Sequence, residues 1–148
     1  MTKIYKLTIF LLTLFLLVLQ TADAQSTIYR MGADSQITTC EGIFTDSGGL
    51  EGDYAANEDY SVQICPDLNS NRGTHASLTF SNISFGLQPG DTAAETRADA
   101  DDELFFFDGM DESAPLISTS LDFYVGSTYT IQASAANTSG CLYIVFLS

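Results

Sequence analysis

Six carboxylates crowd one short stretch of this sequence. Asp99, Asp101, Asp102 and Glu103 precede the apolar run at residues 104–107, and Asp108 and Asp111 follow it. Carboxylates at this density suit a hard cation such as Ca²⁺, which takes six to eight oxygen ligands. Asp102 and Asp108 share strand parity but stand at opposite ends of the run, roughly 20 Å apart by strand rise. They cannot share one ion, so a site needs one end of the strand and a second loop. No EF-hand is present, because the Asp-x-Asp spacing here lacks the central glycine and the terminal glutamate. Carboxylate pairs also serve glycoside hydrolysis, but among so many acidic residues such a pair has no specificity.

Nucleophilic chemistry fares worse. His75 is the sole histidine and no Gly-x-Ser-x-Gly elbow occurs, so a serine triad has neither its base nor its turn. One histidine and three cysteines do not make a zinc site when an exported chain oxidises its thiols. These observations favour a binding module over an enzyme.

The elements that would position such residues begin after an export signal. Lys3 and Lys6 precede an apolar run at residues 9–19 broken only by Thr13, and Ala22-Asp23-Ala24 supplies the small-x-small pattern of a cleavage site. As a helix the run spans about 16 Å, half of a ~30 Å hydrocarbon core, so residues 1–24 read as a cleaved signal peptide rather than an anchor. The mature chain, starting at Gln25, has no membrane span and the size of one domain. It carries Arg30, Arg72 and Arg97 against 18 of the 19 carboxylates, a net charge of −15. So acidic a surface repels phosphate backbones, which argues against nucleic acid as a partner. The charge reads either as a solvated face or as carboxylates gathered around a cation.

Cys40, Cys65 and Cys141 are the cysteines. Outside the cell thiols are expected as disulfides, and an odd count leaves one over. A bridge between Cys40 and Cys65 would close a 26-residue loop, worth about 3.5 kcal/mol by loop-closure entropy. Cys141 would then be unpaired, or paired outside this sequence.

Downstream of the signal, short apolar or alternating runs are separated by Gly, Asn, Asp and Ser clusters, which predicts an all-β sandwich or barrel. Strands are expected at residues 28–31, 36–40, 42–46, 60–65, 76–85, 104–107, 115–118, 128–133 and 141–147. In 60–65, Tyr60, Val62 and Ile64 alternate with Ser61, Gln63 and Cys65, so one face should be buried. Residues 76–85 form the longest candidate, with Leu78 and Phe80 on one face and Ile83 and Phe85 of opposite parity. Residues 86–100 read as a long acidic loop, and 104–107, apolar on both faces, as a central strand covered from both sides. Residues 25–35 read as a lead-in to a domain at 36–148. The sequence stops in a strand, which suggests that C-terminal strands are missing. Two sequons, at Asn82 and Asn137, would accept glycans in a eukaryotic secretory route.

The segment Asp102-Glu103-Leu104-Phe105-Phe106-Phe107-Asp108-Gly109 resembles the D-x-L-x-[IV]-[YF]-D-G signature of CUB domains. Cys40-x-Gly42, Phe44, Ser47-Gly48-Gly49, Tyr54, Asn57 and residues 60–65 resemble the family's opening. Leu78-x-Phe80 fits its long strand, and Cys141-Leu142 through Phe146-x-Ser148 its strand L-x-[VF]-x-F-x-S-D. The wording is similar to CUB-like modules of secreted bacterial multidomain proteins. This resemblance, running from Gln36 to Ser148, implies a jelly-roll β-sandwich that binds extracellular protein or carbohydrate, with a Cys40–Cys65 bridge. It also implies a Ca²⁺ site at one end of the sandwich. Asp102 matches one ligand; the family's glutamate falls on or near Gly86, so Glu95 or Gln88 would have to substitute from the long loop. The third ligand falls one position past Ser148, and Ala100 replaces the first cysteine of the family's second disulfide. The expectation is therefore a secreted or cell-surface recognition module, calcium-assisted where Asp102 finds its other ligands. Its alternatives are a spacer or adhesin segment without a ligand, or an accessory domain of an exported hydrolase.

Overall fold

The computed structural model describes residues 26–81, 102–119 and 128–148. The expected signal peptide, Gln88, Glu95, and the expected strand positions Ile83 and Phe85 lie outside them, as does the sequon at Asn82. Nine strands occur among the described residues: β1 (Ile28–Arg30), β2 (Gln36–Thr39), β3 (Ile43–Thr45), β4 (Asp59–Pro66), β5 (Ser77–Phe80), β6 (Glu103–Phe107), β7 (Leu116–Thr119), β8 (Tyr129–Gln132) and β9 (Leu142–Leu147). The fold is all-β. Five strands form one sheet in the order β2-β4-β9-β6-β7, with β2 parallel to β4 and the other pairs antiparallel. Two ribbons, parallel β1-β3 and antiparallel β5-β8, complete the strand pairs.

The alternation in β4, β6 and β9 builds the core. Val62 pairs with Ile144, and Ile144 with Phe106, so three side chains from three adjacent strands form one row, each fully buried. Burying each contributes about 1.5–3 kcal/mol. Tyr60, Phe146 and Leu104 form the next row in the same register. The ribbons pack onto this cluster through Tyr29, Phe44, Leu78, Phe80, Tyr129 and Ile131; the Phe80 ring meets Phe106 edge-on at 5.2 Å between centroids. Sheet and ribbons thus share one core in a sandwich-like arrangement. Met31, in the stretch read as a lead-in, is only 5% exposed and belongs to that core, while β1 pairs with β3.

Two expectations about faces need correction. In β6, Leu104 and Phe106 are buried, but Phe105 and Phe107 are only partly so. They share the outer face with Val145 and Tyr143, their partners in β9, so among the described residues the strand is fully covered on one side. In β4, Gln63 is buried although its parity places it on the polar face. Its amide is satisfied there: Oε1 accepts from Gln36 Nε2 at 3.0 Å, and Nε2 points at Cys65 Sγ, 3.2 Å away.

The disulfide also differs from expectation. Cys65 is bonded to Cys141, and Cys40 is free and exposed. Register explains the choice. Ile64 pairs with Leu142, so one further step sets Cys65 directly opposite Cys141, with Cα atoms 4.2 Å apart, close to the ~4.5 Å of a non-hydrogen-bonded antiparallel pair. Cys65 is paired on its other side with Thr38, which leaves Cys40 two residues further along. Strand spacing and rise then place the Cys40 and Cys65 Cα atoms roughly 8 Å apart, beyond the ~7 Å that a bridge spans without backbone movement.

A tight turn before β9 completes this region. Gly140 has φ 66°, and a Cβ there would collide with the Thr74 carbonyl. Its own carbonyl accepts from Ala76 N at 2.7 Å, tying the turn to the start of β5.

Candidate functional site

Three strands end together in a row of oxygen-bearing side chains. Asp59 and Glu103 both pair with Leu147. One residue further out, Glu58, Ser148 and Asp102 stand side by side across β4, β9 and β6. Their parity is that of Tyr60, Phe146 and Leu104, so they continue the core-facing side beyond its last apolar row. The pairing is held by the backbone: Ser148 N donates to the Glu58 carbonyl at 2.9 Å, and Glu58 N donates to Ser148 Oγ at 2.9 Å. Ser148 Oγ in turn donates to the Ala55 carbonyl at 3.0 Å.

Tyr54 spans this row. Its ring sits edge-on to Phe146 at 5.0 Å, and its hydroxyl donates to Asp102 Oδ2 at 2.6 Å. Glu58 Oε1 accepts from Ser47 Oγ at 2.5 Å and from Ala55 N at 3.2 Å. Glu58 Oε2 is buried and has no partner among the described residues. A carboxylate oxygen so placed is costly unless another group meets it. Between Tyr54 and Glu58, Asn57 adopts φ 62°, a left-handed conformation that Asn tolerates better than most residues. It lets the loop turn back and deliver Glu58 to β4.

Beside the row is a cavity of about 450 Å³. Phe44, Tyr54, Phe80 and Phe146 are among its walls, with Asp46 and Asp53 also lining it. Asp46 is set by its own turn, its Oδ1 accepting from Gly49 N at 3.0 Å; φ of 86° at Gly49 suits glycine. Aromatic walls with carboxylate acceptors suit a ligand that combines apolar faces with hydroxyl or amide donors.

The other end of β6 is built for structure. Asp108 Oδ1 accepts from Ser134 N and from Asn137 Nδ2, both at 2.9 Å. Asn137 Nδ2 also donates to the Cys141 carbonyl at 2.7 Å, while Asn137 Oδ1 accepts from Ser139 N, Ser139 Oγ and Gly140 N. Burial pushes the Asp108 carboxyl up, but these hydrogen bonds from Ser134 and Asn137 outweigh it and hold the group below the ordinary carboxylate range. Asp111 is lowered too, by the Ser113 hydroxyl and amide that it caps. Both amide hydrogens of Asn137, the second sequon, are therefore occupied within the fold.

Of the residues expected to hold a cation, Asp102 lies in the row, whereas Glu95 and Gln88 fall outside the described residues. Among the described residues no three His, Cys, Asp or Glu side chains come together. The row nevertheless matches a hard cation in kind: its donors are all oxygen, and one buried carboxylate oxygen lacks a partner. Sequence reasoning missed Glu58 and Ser148. The signal was their parity with Tyr60 and Phe146, but nothing in the sequence set those two strands side by side.

His75 is partly buried. Its Nδ1 lies 2.8 Å from Thr74 Oγ1, and its Nε2 is buried without a partner among the described residues. No helix among the described residues is long and apolar enough to cross a membrane. The chain matches no protein-family model, no curated protein and no solved structure.

Proposed function

We propose that this chain is an exported, CUB-like recognition module that binds a protein or carbohydrate outside the cell at the Tyr54–Glu58–Asp102–Ser148 end of its sheet. The observation that carries this reading is the row itself: Tyr54, which lines an aromatic-walled cavity, holds Asp102 by its hydroxyl, and Ser148 is tied to Glu58 on the neighbouring strand. A rigid sheet end of this kind presents acceptors without a large ordering cost on binding. The resemblance read from the sequence supports the same end, since its D-x-L motif opens at Asp102. Any Ca²⁺ at this end would be held weakly, through Asp102, since no three acidic, His or Cys side chains come together among the described residues; bound there it would neutralise that carboxylate and offer a ligand an electrophilic contact.

The experiment is a titration followed by backbone amide shifts, using a panel of neutral and acidic oligosaccharides and extracellular-matrix proteins, with and without millimolar Ca²⁺. Binding should perturb amides around Tyr54, Glu58, Asp102 and Ser148, and Asp102→Ala should weaken it at least tenfold. Perturbations confined to other faces, or full binding by Asp102→Ala, would remove this end of the sheet as the site. A spacer or adhesin segment with no ligand of its own is the second reading. The internal hydrogen bonds from Tyr54 to Asp102 and from Ser47 to Glu58 favour it, and the absence of any shift across the panel would support it.

A further inference from the structure

The three cysteines lie on or next to three consecutive strands. Cys40 follows β2, Cys65 lies in β4 and Cys141 precedes β9, and the sheet order is β2-β4-β9. Cys65 therefore has its disulfide partner on one side and the strand leading to the free thiol on the other. Thiol–disulfide exchange needs such an order, because the thiolate enters opposite the sulfur that leaves.

Two further observations bear on the step. Cys40 and Cys65 line the same cavity, of about 360 Å³. Gln63, 7% exposed, has its amide oriented by Gln36, so that Nε2 lies 3.2 Å from Cys65 Sγ and 3.8 Å from Cys141 Sγ. A buried N–H beside both sulfurs favours negative charge on whichever one leaves. Cys40 stands past the end of β2 with its thiol exposed, so a backbone shift of about 1–2 Å brings it within bridging range of Cys65.

We propose that Cys40 is the attacking thiol of an internal exchange that moves the bridge from Cys65–Cys141 to Cys40–Cys65. Cys40 gives its proton to solvent, and its thiolate forms the new bond to Cys65 Sγ. The Cys65–Cys141 bond breaks, its electron pair leaves on Cys141 Sγ, and that sulfur takes a proton from solvent. Nothing is oxidised or reduced overall, and no co-reactant is needed. The free thiol moves from an exposed position to one only 4% exposed, so exchange hides the group through which the chain could be cross-linked. The covalent staple moves at the same time from the β4/β9 pair to the β2/β4 pair.

The test uses the full oxidised chain. Samples are incubated at about pH 8.5, since alkaline solution favours the thiolate that attacks, and others are held in acid. Each is then alkylated under acid-quenched, denaturing conditions and mapped by mass spectrometry. Acid-held protein should carry label at Cys40 alone, and incubated protein should carry it at both Cys40 and Cys141. The rate of appearance at Cys141 should rise steeply with pH, because the thiolate is the attacking form, and should not change on tenfold dilution. Label confined to Cys40 at every pH, or a rate that falls with dilution alongside linked dimers, overturns the proposal. Gln63→Met should slow the exchange several-fold with the Cys65–Cys141 bridge still formed; an unchanged rate would remove Gln63 from the mechanism.

Discussion

Replacing the bridged pair and the free cysteine separately distinguishes the contributions of bridge and thiol. Cys65 and Cys141 are 76 residues apart in sequence, so their bond restricts a long loop of the unfolded chain. Loop-closure entropy puts that restriction at about 4.5 kcal/mol, against about 3.5 for the shorter Cys40–Cys65 loop. A Cys65→Ala/Cys141→Ala variant should lose most of this, and a small cavity beside Leu142 would add to the loss. Cys40→Ser removes only an exposed thiol and should stay within about 0.5 kcal/mol of the parent. In urea, with a slope of about 1–3 kcal/mol/M, the double variant's midpoint should fall by about 1.5 M or more and that of Cys40→Ser should hardly move. Equilibrium unfolding followed by tyrosine fluorescence and far-ultraviolet circular dichroism would show the difference. If Cys40→Ser were the more damaging, and mapping of acid-held parent found Cys40 bridged to Cys65, the register argument would be refuted.

Gly140→Ala should be severe, at about 3 kcal/mol or more, because the new methyl meets the Thr74 carbonyl and the backbone is left-handed there; loss of soluble, oxidised protein on expression would be the readout, and a parent-like melting temperature would contradict it. Asp108 has a depressed folded-state pKa, so its contribution is complete above the ordinary value of 3.8 and is lost as pH falls through the lower folded value. Asp108→Asn should therefore be less stable than the parent near neutrality, with the gap closing below about pH 4; melting curves across that range would show it, and a gap independent of pH would mean that the carboxylate charge is irrelevant.

Much of the strand pattern was legible in the residues themselves. Alternation in β4 predicted that Val62 and Ile64 would be buried, and they are. Leu78 and Phe80 did share the more protected face of β5. Turn clusters such as Ser47-Gly48-Gly49 marked a strand end correctly, because glycine and serine there follow from local backbone geometry. Local rules of this kind act over a few residues and survive without knowledge of the partner strand.

Pairing does not follow from local rules. Cys40 and Cys65 are nearer in sequence than Cys65 and Cys141, but placing β9 beside β4 in their observed register sets Cys141 directly opposite Cys65. Gln63 reads as a surface residue until Gln36 and the two sulfurs are found around it. The oxygen row is the clearest case: residues 58, 102 and 148 come together because β9 runs between β4 and β6, and strand order depends on how the whole chain buries its apolar faces. The periodicity of the residues was enough to say which side chains face inward, since that needs only the two-residue repeat of a strand. Which inward-facing neighbours meet was decided by tertiary packing, through long-range contacts that no short stretch of sequence encodes.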